Sequence, residues 1–563
     1  MSSQESAAHA AAAPLTQTVE KRTTGWVVIE TLANYGIDTV FGIPGTHNLE
    51  LYRPVGQLGI RPVTTRHEQG AGYGSDGWSL QTGKPGVVIT TSGPGLLNAL
   101  SSAGTAYCES RPMIIIAPGP SRGAEFADVG TLHETKDQLG AAAAIVEWGR
   151  RAQTAEEAVE AIHDAFELFA TGRPRPVYLE VPLDLLEEET QIGEAALAAR
   201  DFAAPAAPDA GQIADAARRL VAAKDPVILA GGGSRHAAAE LRAVAEKLGA
   251  PVVSTLNAKG VLDERHPLAL GSNLRLAAVR NRARDADVLL IVGSKLGEAE
   301  LWVDRLDARG DVIRVDLLES QIQKNQAVSL GIVADSRAAL AALAAELDSA
   351  HADHEPLDSA AGVAASVEAA LAEAAEMSPS NTALASAIAR VLPEDAIVST
   401  DSSQIGYAGL LNVLVAQQPN STPYMATYAT LGYGLPAALG SRIGAPDRPS
   451  FVVIGDGALM FSLQEFITVV EQRLDVTVIV VDNGGYAEIK QNEADAGIAP
   501  VGVDLVQPNW PALAAAFGGT GVEATTEAEL AAAVRDAVAN GGLQLIHIRQ
   551  DAFELGAGAG ERA

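Results

Sequence analysis

The chain has 563 residues, of which 47% are hydrophobic, so it is long enough for about three to four domains with apolar cores. Its 70 acidic and 40 basic residues give a formal net charge of −30, which repels nucleic acids and anionic membranes, so we expect neither as a partner. No uninterrupted apolar run approaches the ~18–20 residues of a membrane span. A single cysteine, and an N-terminus without a signal or transit pattern, predict a cytoplasmic protein.

The order of apolar and polar segments predicts three α/β domains with doubly wound parallel sheets. From residue 21 to 188, amphipathic helices alternate with short apolar strands such as DTVFG and GVVITT, which is typical of that architecture. Low-complexity composition predicts a disordered tail over 1–20 and another in the C-terminal GAGAGERA. The predicted order is an N-terminal domain, a linker, a middle domain, a second linker and a C-terminal domain, at 21–188, 189–209, 210–347, 348–378 and 379–555.

The stretch from Phe451 to Lys490 predicts a strand, a helix and a second strand. FVVI and VTVIVV are short apolar runs that end in polar residues, and ALMFSLQEFITVVEQR between them has the apolar periodicity of one amphipathic helix. Parallel strands joined by a helix end at the same edge of the sheet, where open α/β sheets bind ligands. We therefore expect Asp456 and Asn483 to lie side by side at that edge.

The residue types at this edge indicate a metal–diphosphate site. Carboxylate and amide oxygens from Asp456 and Asn483 suit Mg²⁺, which phosphate oxygens commonly complete. Gly455 and Gly457 allow a phosphate to approach the backbone, and the helix N-terminus after them favours an anion. Each glycine-rich tripeptide taken alone can be only a turn; their placement at two neighbouring strand ends predicts the site.

GDG followed at this distance by Asn resembles the signature of the thiamine-diphosphate (ThDP) enzymes of the pyruvate decarboxylase and acetolactate synthase superfamily. The resemblance covers about residues 24 to 550 and implies that Asp456, Asn483 and the carbonyl of Gly485 hold Mg²⁺. It implies a pyrimidine-binding and a diphosphate-binding domain around a Rossmann-like middle domain, in a homodimer at minimum and commonly a homotetramer, with the active site between subunits. The implied contacts to the cofactor's diphosphate side come from Gly455, Asp456, Gly457, Ala458, Asn483, Gly485 and Tyr486.

A second part of the resemblance lies in RHEQGA at 66–71 and TSGPG at 91–95, followed by Asn98. It implies that Glu68 bonds N1′ of the cofactor's aminopyrimidine and exchanges a proton there. In the segment ATYATLGYGLPAALG, it implies that the carbonyl of Ala429 accepts from the 4′ amine and that Leu431 wedges the cofactor into its V shape. Leu431 is also compatible with an ordinary place in the core.

The middle domain contains a glycine turn at 231–233 that resembles a nucleotide site but need be only a tight turn. Acetolactate synthases, whose middle domain holds FAD, typically carry Arg-Phe-Asp-Asp-Arg after the strand that reads ADVLLIVG here. This chain has KLGEAE at 295–300 instead, so we expect no FAD.

Three strings, FGIPGTHNLELY, LHETKDQ and NGGYAEIKQ, resemble 5-guanidino-2-oxopentanoate (2-ketoarginine) decarboxylases more than acetolactate synthases. They predict a ThDP- and Mg²⁺-dependent decarboxylase that releases CO₂ and an aldehyde from a 2-oxo acid. Glu488 and His47 are the candidates for contacts with the substrate. Glu488 is also compatible with a solvated acid at a helix start, and His47 with a loop histidine bonded to the backbone. The alternatives are an acetolactate-synthase-like carboligase acting on pyruvate and, from another class, a noncatalytic ThDP-fold regulatory subunit.

Overall fold

The computed structural model describes residues 22–205 and 207–555, so both predicted tails lie outside the described residues. The described chain forms three α/β domains, each built on one parallel sheet, which confirms the predicted fold class. Many strands are buried along their whole length, as in the apolar runs Met113–Gly119 and Val288–Val292. Such runs are typical of parallel strands covered by helices on both faces.

The first domain contains six strands: β1 (Thr39–Gly42), β2 (Arg61–Thr64), β3 (Gly86–Ile89), β4 (Met113–Gly119), β5 (Trp148–Arg151) and β6 (Pro176–Pro182). The helices of this domain are α1 (Thr24–Asn34), α2 (Leu49–Tyr52), α3 (Glu68–Thr82), α4 (Pro94–Glu109), α5 (Gln138–Ala143), α6 (Ala155–Thr171) and α7 (Leu183–Leu186). The short helix α8 (Glu194–Leu197) follows in the predicted first linker. The strand order is β2-β1-β3-β4-β6-β5. The edge strand β5 reads WGRR and lacks an apolar run, so the pattern of apolar residues does not indicate it.

The middle domain contains β7 (Pro226–Ala230), β8 (Val252–Ser254), β9 (Ala269–Gly271), β10 (Val288–Val292), β11 (Asp311–Asp316) and β12 (Leu330–Val333). Its helices are α9 (Ala210–Ala222), α10 (Ala238–Leu248), α11 (Ala277–Asp285), α12 (Glu298–Leu301), α13 (Glu319–Ile322) and α14 (Ser336–Ala350). The strand order β12-β11-β10-β7-β8-β9 places β7 at the centre, so the glycine turn at 231–233 leaves the middle of the sheet.

The C-terminal domain follows α15 (Ala360–Met377), a helix within the predicted second linker. Its strands are β13 (Ile397–Thr400), β14 (Ser450–Gly455), β15 (Val476–Asp482), β16 (Thr520–Glu523) and β17 (Leu543–Arg549), in the order β13-β14-β15-β17-β16. Its α-helices are α16 (Pro379–Val391), α17 (Leu411–Val413), α18 (Gly434–Gly444), α19 (Asp456–Leu459), α20 (Glu465–Glu471), α21 (Ala487–Asp495), α22 (Trp510–Ala516) and α23 (Glu527–Asn540). A π-helix spans Ile405–Leu410, and 3₁₀ helices span Thr46–Asn48, Gly232–Ala237 and Leu256–Ala258. None of the described helices combines the length and the apolar character that crossing a bilayer requires.

The prediction of one continuous helix between β14 and β15 is wrong. Two short helices, α19 and α20, are separated by turns over 460–464, where Met460 and Phe461 are exposed. The buried side chain of Glu465 at the start of α20 accepts hydrogen bonds from the backbone of Arg66 and His67. A contact between two domains therefore prevails here over the local helical pattern.

The first and third domains contact each other directly through α3 and α18. A Cβ atom added to Gly440 would lie 1.8 Å from the carbonyl oxygen of Gly74, and one added to Gly77 would lie 2.0 Å from that of Ala437. Only glycine permits such a close approach of two backbones. The helix that begins with Glu68 is thus fixed directly against the C-terminal domain.

Candidate active site

The two polar strand ends predicted to lie together do so. Strands β14 and β15 are parallel neighbours, with Gly455 opposite Val481, so Asp456 and Asn483 leave the same edge of the sheet. Asp456 starts α19 and is only 1% exposed. Its carboxylate is therefore held by the strand, the helix start and the neighbouring strand end together.

The polar groups of three residues converge at this edge. One end of the Asn483 amide lies 3.2 Å from Oδ1 of Asp456 and 3.0 Å from the carbonyl oxygen of Gly485. If the amide nitrogen faces these two oxygens, it donates to both; if the amide oxygen faces them, three oxygens meet at one point. Carboxylate, amide and backbone oxygens together are the ligand set of a hard divalent cation. These residues therefore fit a metal such as Mg²⁺.

The charge of Asp456 is costly in the protein alone. Burial, followed by the nearby carboxylate of Asp482, raises the pKa of Asp456 to about 6. Asp482 accepts hydrogen bonds from the backbone N–H of Gly484 at 3.0 Å and from Nε2 of His547 on β17 at 3.1 Å. A cation beside Asp456 would favour its ionised form.

The loop after Asn483 is held in place by its own backbone contacts. Gly485 has φ 142°, and a Cβ atom there would lie 2.1 Å from the carbonyl oxygen of Val503. The N–H of Tyr486 donates to the same oxygen at 2.9 Å. The ring of Tyr486 covers Gly457, where an added Cβ would lie 2.9 Å from Cε1 of the ring. The absence of a side chain at Gly457 thus makes room for Tyr486.

Glu68 occupies the first turn of α3 and is 8% exposed. Its Oε2 accepts a hydrogen bond from Nδ2 of Asn98 at 3.0 Å. A Cβ atom on Gly95 would lie 3.3 Å from Oε1 of Glu68, so the TSGPG turn packs closely against this acid. The RHEQGA and TSGPG strings, distant in sequence, therefore build one site around a buried carboxylate.

A second buried acid, Glu465, holds the turn that carries Glu68. Its Oε1 accepts from the N–H groups of Arg66 at 3.0 Å and His67 at 3.1 Å, and its Oε2 accepts from Oγ1 of Thr468 at 2.6 Å. Burial raises the pKa of Glu465 to about 7, although these hydrogen bonds act in the opposite direction. No sequence pattern identifies Glu465, because its partners lie in another domain.

Models of one enzyme family match most of the chain. They are described as the N-terminal TPP binding domain, the central domain and the C-terminal TPP binding domain of thiamine pyrophosphate enzymes, and they match residues 22–141, 213–343 and 405–548. The chain belongs to the thiamine pyrophosphate enzymes. Thiamine pyrophosphate is another name for ThDP, so the family expected from the sequence motifs is confirmed.

Its relatives within this family include both decarboxylases and carboligases. The probable 2-ketoarginine decarboxylase AruI of Pseudomonas aeruginosa is 36% identical over 536 residues, which cover 94% of each chain. The large subunit of acetolactate synthase isozyme 1 of Escherichia coli is 31% identical over 556 residues, covering 96% of each chain. The acetolactate synthase large subunit of Corynebacterium glutamicum is 29% identical over 485 residues, covering 84% of this chain and 76% of the relative. The protein is an enzyme of this thiamine pyrophosphate-dependent decarboxylase or carboligase type.

In this thiamine pyrophosphate enzyme, Ala429 and Leu431 lie on a segment fixed by a buried acid. Both oxygens of Asp401, at the end of β13, accept from this segment: Oδ1 from the N–H of Gly432 at 3.2 Å and Oδ2 from that of Gly434 at 2.8 Å. Ala429 is exposed with a positive φ of 51°, and Leu431 is half-buried. Burial raises the pKa of Asp401 to about 6. Asp401 follows an apolar strand as Asp456 does, so the same sequence rule could have found it.

His47 lies in a polar cluster of the first domain. Its Nδ1 is 2.6 Å from Oγ of Ser92 in the TSGPG turn, and its ring centre is 4.9 Å from that of His133. Burial lowers the pKa of His47, and the neighbouring His133 lowers it further. His47 is therefore not an isolated loop histidine, and the LHETKDQ string contributes its neighbour.

Glu488 lies on α21, about one helical turn after Gly485, and its side chain is exposed. Its Oε2 accepts from Nε2 of Gln404 at 2.8 Å and from the hydroxyl of Tyr407 at 3.0 Å. Both donors belong to the region around the π-helix, which sequence patterns did not single out. Glu488 is thus oriented by two side chains rather than free in solvent.

The predicted residues fall into two groups in one chain. Glu68 and His47 lie in the first domain, whereas Asp456, Asn483 and Glu488 lie in the third. Within residues 22–205 and 207–555, no hydrogen bond joins a member of one group to a member of the other. The Glu68–His47 group and the Asp456–Asn483–Glu488 group are therefore two separate clusters within one chain.

Proposed function

We propose that the protein is a Mg²⁺- and ThDP-dependent, non-oxidative 2-oxo acid decarboxylase with 5-guanidino-2-oxopentanoate as its substrate. The observation that carries the cofactor assignment is the convergence of the Asp456 carboxylate, the Asn483 amide and the Gly485 carbonyl. When bound, ThDP supplies the electron sink that lets a 2-oxo acid lose CO₂. The products of the proposed reaction are CO₂ and an aldehyde.

Each group of residues has a separate task in this proposal. Asp456, Asn483 and Gly485 bind Mg²⁺ through oxygen, and the backbone at Gly455, Gly457 and Ala458 lines the diphosphate. Oε1 of Glu68 holds a proton against the aminopyrimidine, since Oε2 is already bonded to Asn98. The buried surroundings of Glu68 exclude water from that proton transfer.

The choice of substrate rests on Glu488 and on the similarity to the probable 2-ketoarginine decarboxylase. A guanidinium can bind a carboxylate with two parallel hydrogen bonds, and the charge of Glu488 complements the substrate's cationic end. An uncharged 2-oxo acid offers no such partner.

A second candidate function is carboligation of pyruvate, supported by the similarity to acetolactate synthase large subunits. Nothing at the cofactor site separates the two, because both reactions begin with the same decarboxylation. A noncatalytic regulatory role has less support, since Glu68, Asp456 and Asn483 are all present and all take part in hydrogen bonds.

We further propose a homodimer as the minimal active form, commonly assembled into a homotetramer. The two clusters of one chain then face those of the partner. Two exposed apolar groups accompany them: Phe126, Val129 and Leu132 precede His133, while Met460 and Phe461 follow the Asp456 turn. Clusters of exposed large apolar side chains of this kind favour an interface between subunits.

The proposed function is tested by CO₂ release from the purified enzyme supplied with ThDP and Mg²⁺. The substrates are pyruvate, a branched, an aromatic and a guanidino 2-oxo acid. We expect the highest kcat/KM for 5-guanidino-2-oxopentanoate, with an aldehyde as the second product. A preference for pyruvate with formation of acetolactate would establish the carboligase instead, and no release from any substrate would contradict both.

A further inference from the structure

We propose that Trp302, Tyr407 and Glu488 form the subsite that binds the planar cationic end of the substrate, so that the middle domain takes part in substrate selection. This inference deepens the proposed function and rests on it. Trp302 belongs to the middle domain, whereas the other two residues belong to the C-terminal domain. No motif in the sequence around Trp302 indicates a place at this site.

The carboxylate of Glu488 can accept a hydrogen bond from a ligand through Oε1. Gln404 and Tyr407 both donate to Oε2, whereas Oε1 has no hydrogen-bond partner among residues 22–205 and 207–555. The side chain is thus held in one orientation while one oxygen stays accessible. A guanidinium donates in its own plane to such an oxygen and carries the complementary charge.

Two aromatic side chains, Trp302 and Tyr407, form one side of the proposed subsite. The ring centres of Trp302 and Tyr407 are 6.3 Å apart, with an angle of 71° between the ring planes. Trp302 follows α12 and is 42% exposed, so part of its ring is free for a ligand. Tryptophan is the best aromatic partner for a cation, and guanidinium groups take this role more often than ammonium groups.

The structure already shows a guanidinium near this tryptophan. The Arg275 guanidinium lies 5.9 Å from the centre of the Trp302 ring. Arg275 is buried and donates to the carbonyl oxygen of Ser272 and to Oδ1 of Asn412, so these hydrogen bonds hold its guanidinium in place. The exposed part of Trp302 remains for a second, external cation, next to the negative charge of Glu488.

Two short chain segments connect the subsite to the proposed cofactor site. Gln404 follows Ser403, whose Oγ accepts from the N–H of Gly455 in the GDG turn at 3.2 Å. Glu488 follows Tyr486, whose ring covers Gly457. A substrate whose tail reaches this carboxylate therefore lies beside the metal–diphosphate edge rather than at a remote surface.

The test compares 5-guanidino-2-oxopentanoate with 5-ureido-2-oxopentanoate, a neutral molecule of nearly the same shape. The measured quantity is the ratio of kcat/KM for the two substrates in the holoenzyme. We expect Glu488→Gln to lower the ratio at least tenfold, and Trp302→Leu and Tyr407→Phe to lower it about three- to tenfold, which is the effect of about 0.7–1.4 kcal/mol. Trp302→Phe, which keeps an aromatic ring, should restore most of the ratio.

Two controls match these variants in chemistry but lie outside the subsite. Glu493→Gln removes the same charge from the same helix, and Trp148→Leu removes a tryptophan that packs on Arg150 at the edge of the first sheet. Both should leave the ratio within about twofold of wild type. If Trp302→Leu fails to fold, the Tyr407→Phe and Glu488→Gln variants still decide whether this subsite binds the cationic end.

The outcomes separate the two proposals. If the wild-type enzyme releases no CO₂ from the guanidino acid, the proposed substrate is wrong, and the proposed subsite is then wrong as well. If the wild-type enzyme prefers the guanidino acid but Trp302→Leu and Tyr407→Phe keep its ratio, the subsite is wrong while the proposed function stands. Equal losses on both substrates would also overturn the subsite, because they indicate a general effect on catalysis.

Discussion

Replacing Glu465 with glutamine tests whether the Glu68 turn rests on a buried acid that is neutral below pH 7. Glutamine keeps an acceptor for the N–H groups of Arg66 and His67 but carries no charge at any pH. Burial raises the pKa of Glu465 to about 7 in the folded protein, against about 4.3 for an unperturbed glutamate. An acid whose folded pKa is raised contributes stability that is fully present below the unfolded pKa and is lost as the pH rises through the folded pKa.

The magnitude follows from these two pKa values. Between pH 5 and pH 8, ionisation of the buried carboxyl costs the wild-type protein about 2–3 kcal/mol that the Glu465→Gln variant does not lose. With an unfolding entropy of about 2.1 cal/mol/K per residue, a chain of this length that unfolds as one unit changes its Tm by about 2 °C. We therefore expect the Tm of the variant, measured relative to wild type, to rise by about 2 °C from pH 5 to pH 8.

Thermal unfolding of both proteins at the two pH values measures this difference. Glu471→Gln is the matched control on the same helix, because Glu471 is largely exposed and pairs with Arg66 at the surface. Its Tm relative to wild type should not depend on pH over this range. A pH-independent difference for Glu465→Gln, or a change of the opposite sign, would refute the assignment of a neutral buried acid. Loss of activity in this variant with unchanged ThDP binding would further show that Glu465 positions Glu68.

The remaining predictions concern the cofactor. Glu68→Gln should abolish CO₂ release while calorimetry shows nearly intact ThDP binding, because glutamine cannot exchange the proton; turnover within about threefold of wild type, far from the ~10²–10⁴ of acid–base catalysis, would exclude this role. Asp456→Ala should remove Mg²⁺-dependent ThDP binding, since a hard cation loses its charged ligand, and unchanged ThDP affinity would place the metal elsewhere. The purified protein should be colourless, because KLGEAE stands at 295–300 where acetolactate synthases typically carry Arg-Phe-Asp-Asp-Arg. A flavin absorption spectrum would contradict that last expectation.

The positions of Asp456 and Asn483 could be predicted because they depend on a short-range rule. Each follows an apolar strand of a parallel sheet, and neighbouring strands of such a sheet end at one edge. The in-register pairing of β14 with β15 confirms this geometry. The alternation of helices and buried strands indicates the fold class in the same way, since it needs no knowledge of distant contacts.

Residues positioned by distant contacts could not be predicted. Glu465 lies in a segment with a clear helical pattern, yet its carboxylate binds the backbone of another domain, and the helix is interrupted just before it. Trp302 meets Tyr407 only because the middle and C-terminal domains pack together at that point. In both cases local periodicity carries no information about the partner, since the partner's position depends on the whole fold.

The contact between α3 and α18 has a mechanical consequence. Where two backbones touch at Gly74 and Gly440, there is no layer of side chains that could shear or change rotamer, so the first and third domains of one chain must move as a single rigid frame. The acid at the start of α3 and the Asp401-bound segment before α18 belong to that frame. We therefore expect any adjustment as substrate enters or product leaves in peripheral segments, such as the largely exposed residues 121–137 and helix α21, which has no buried residue of its own.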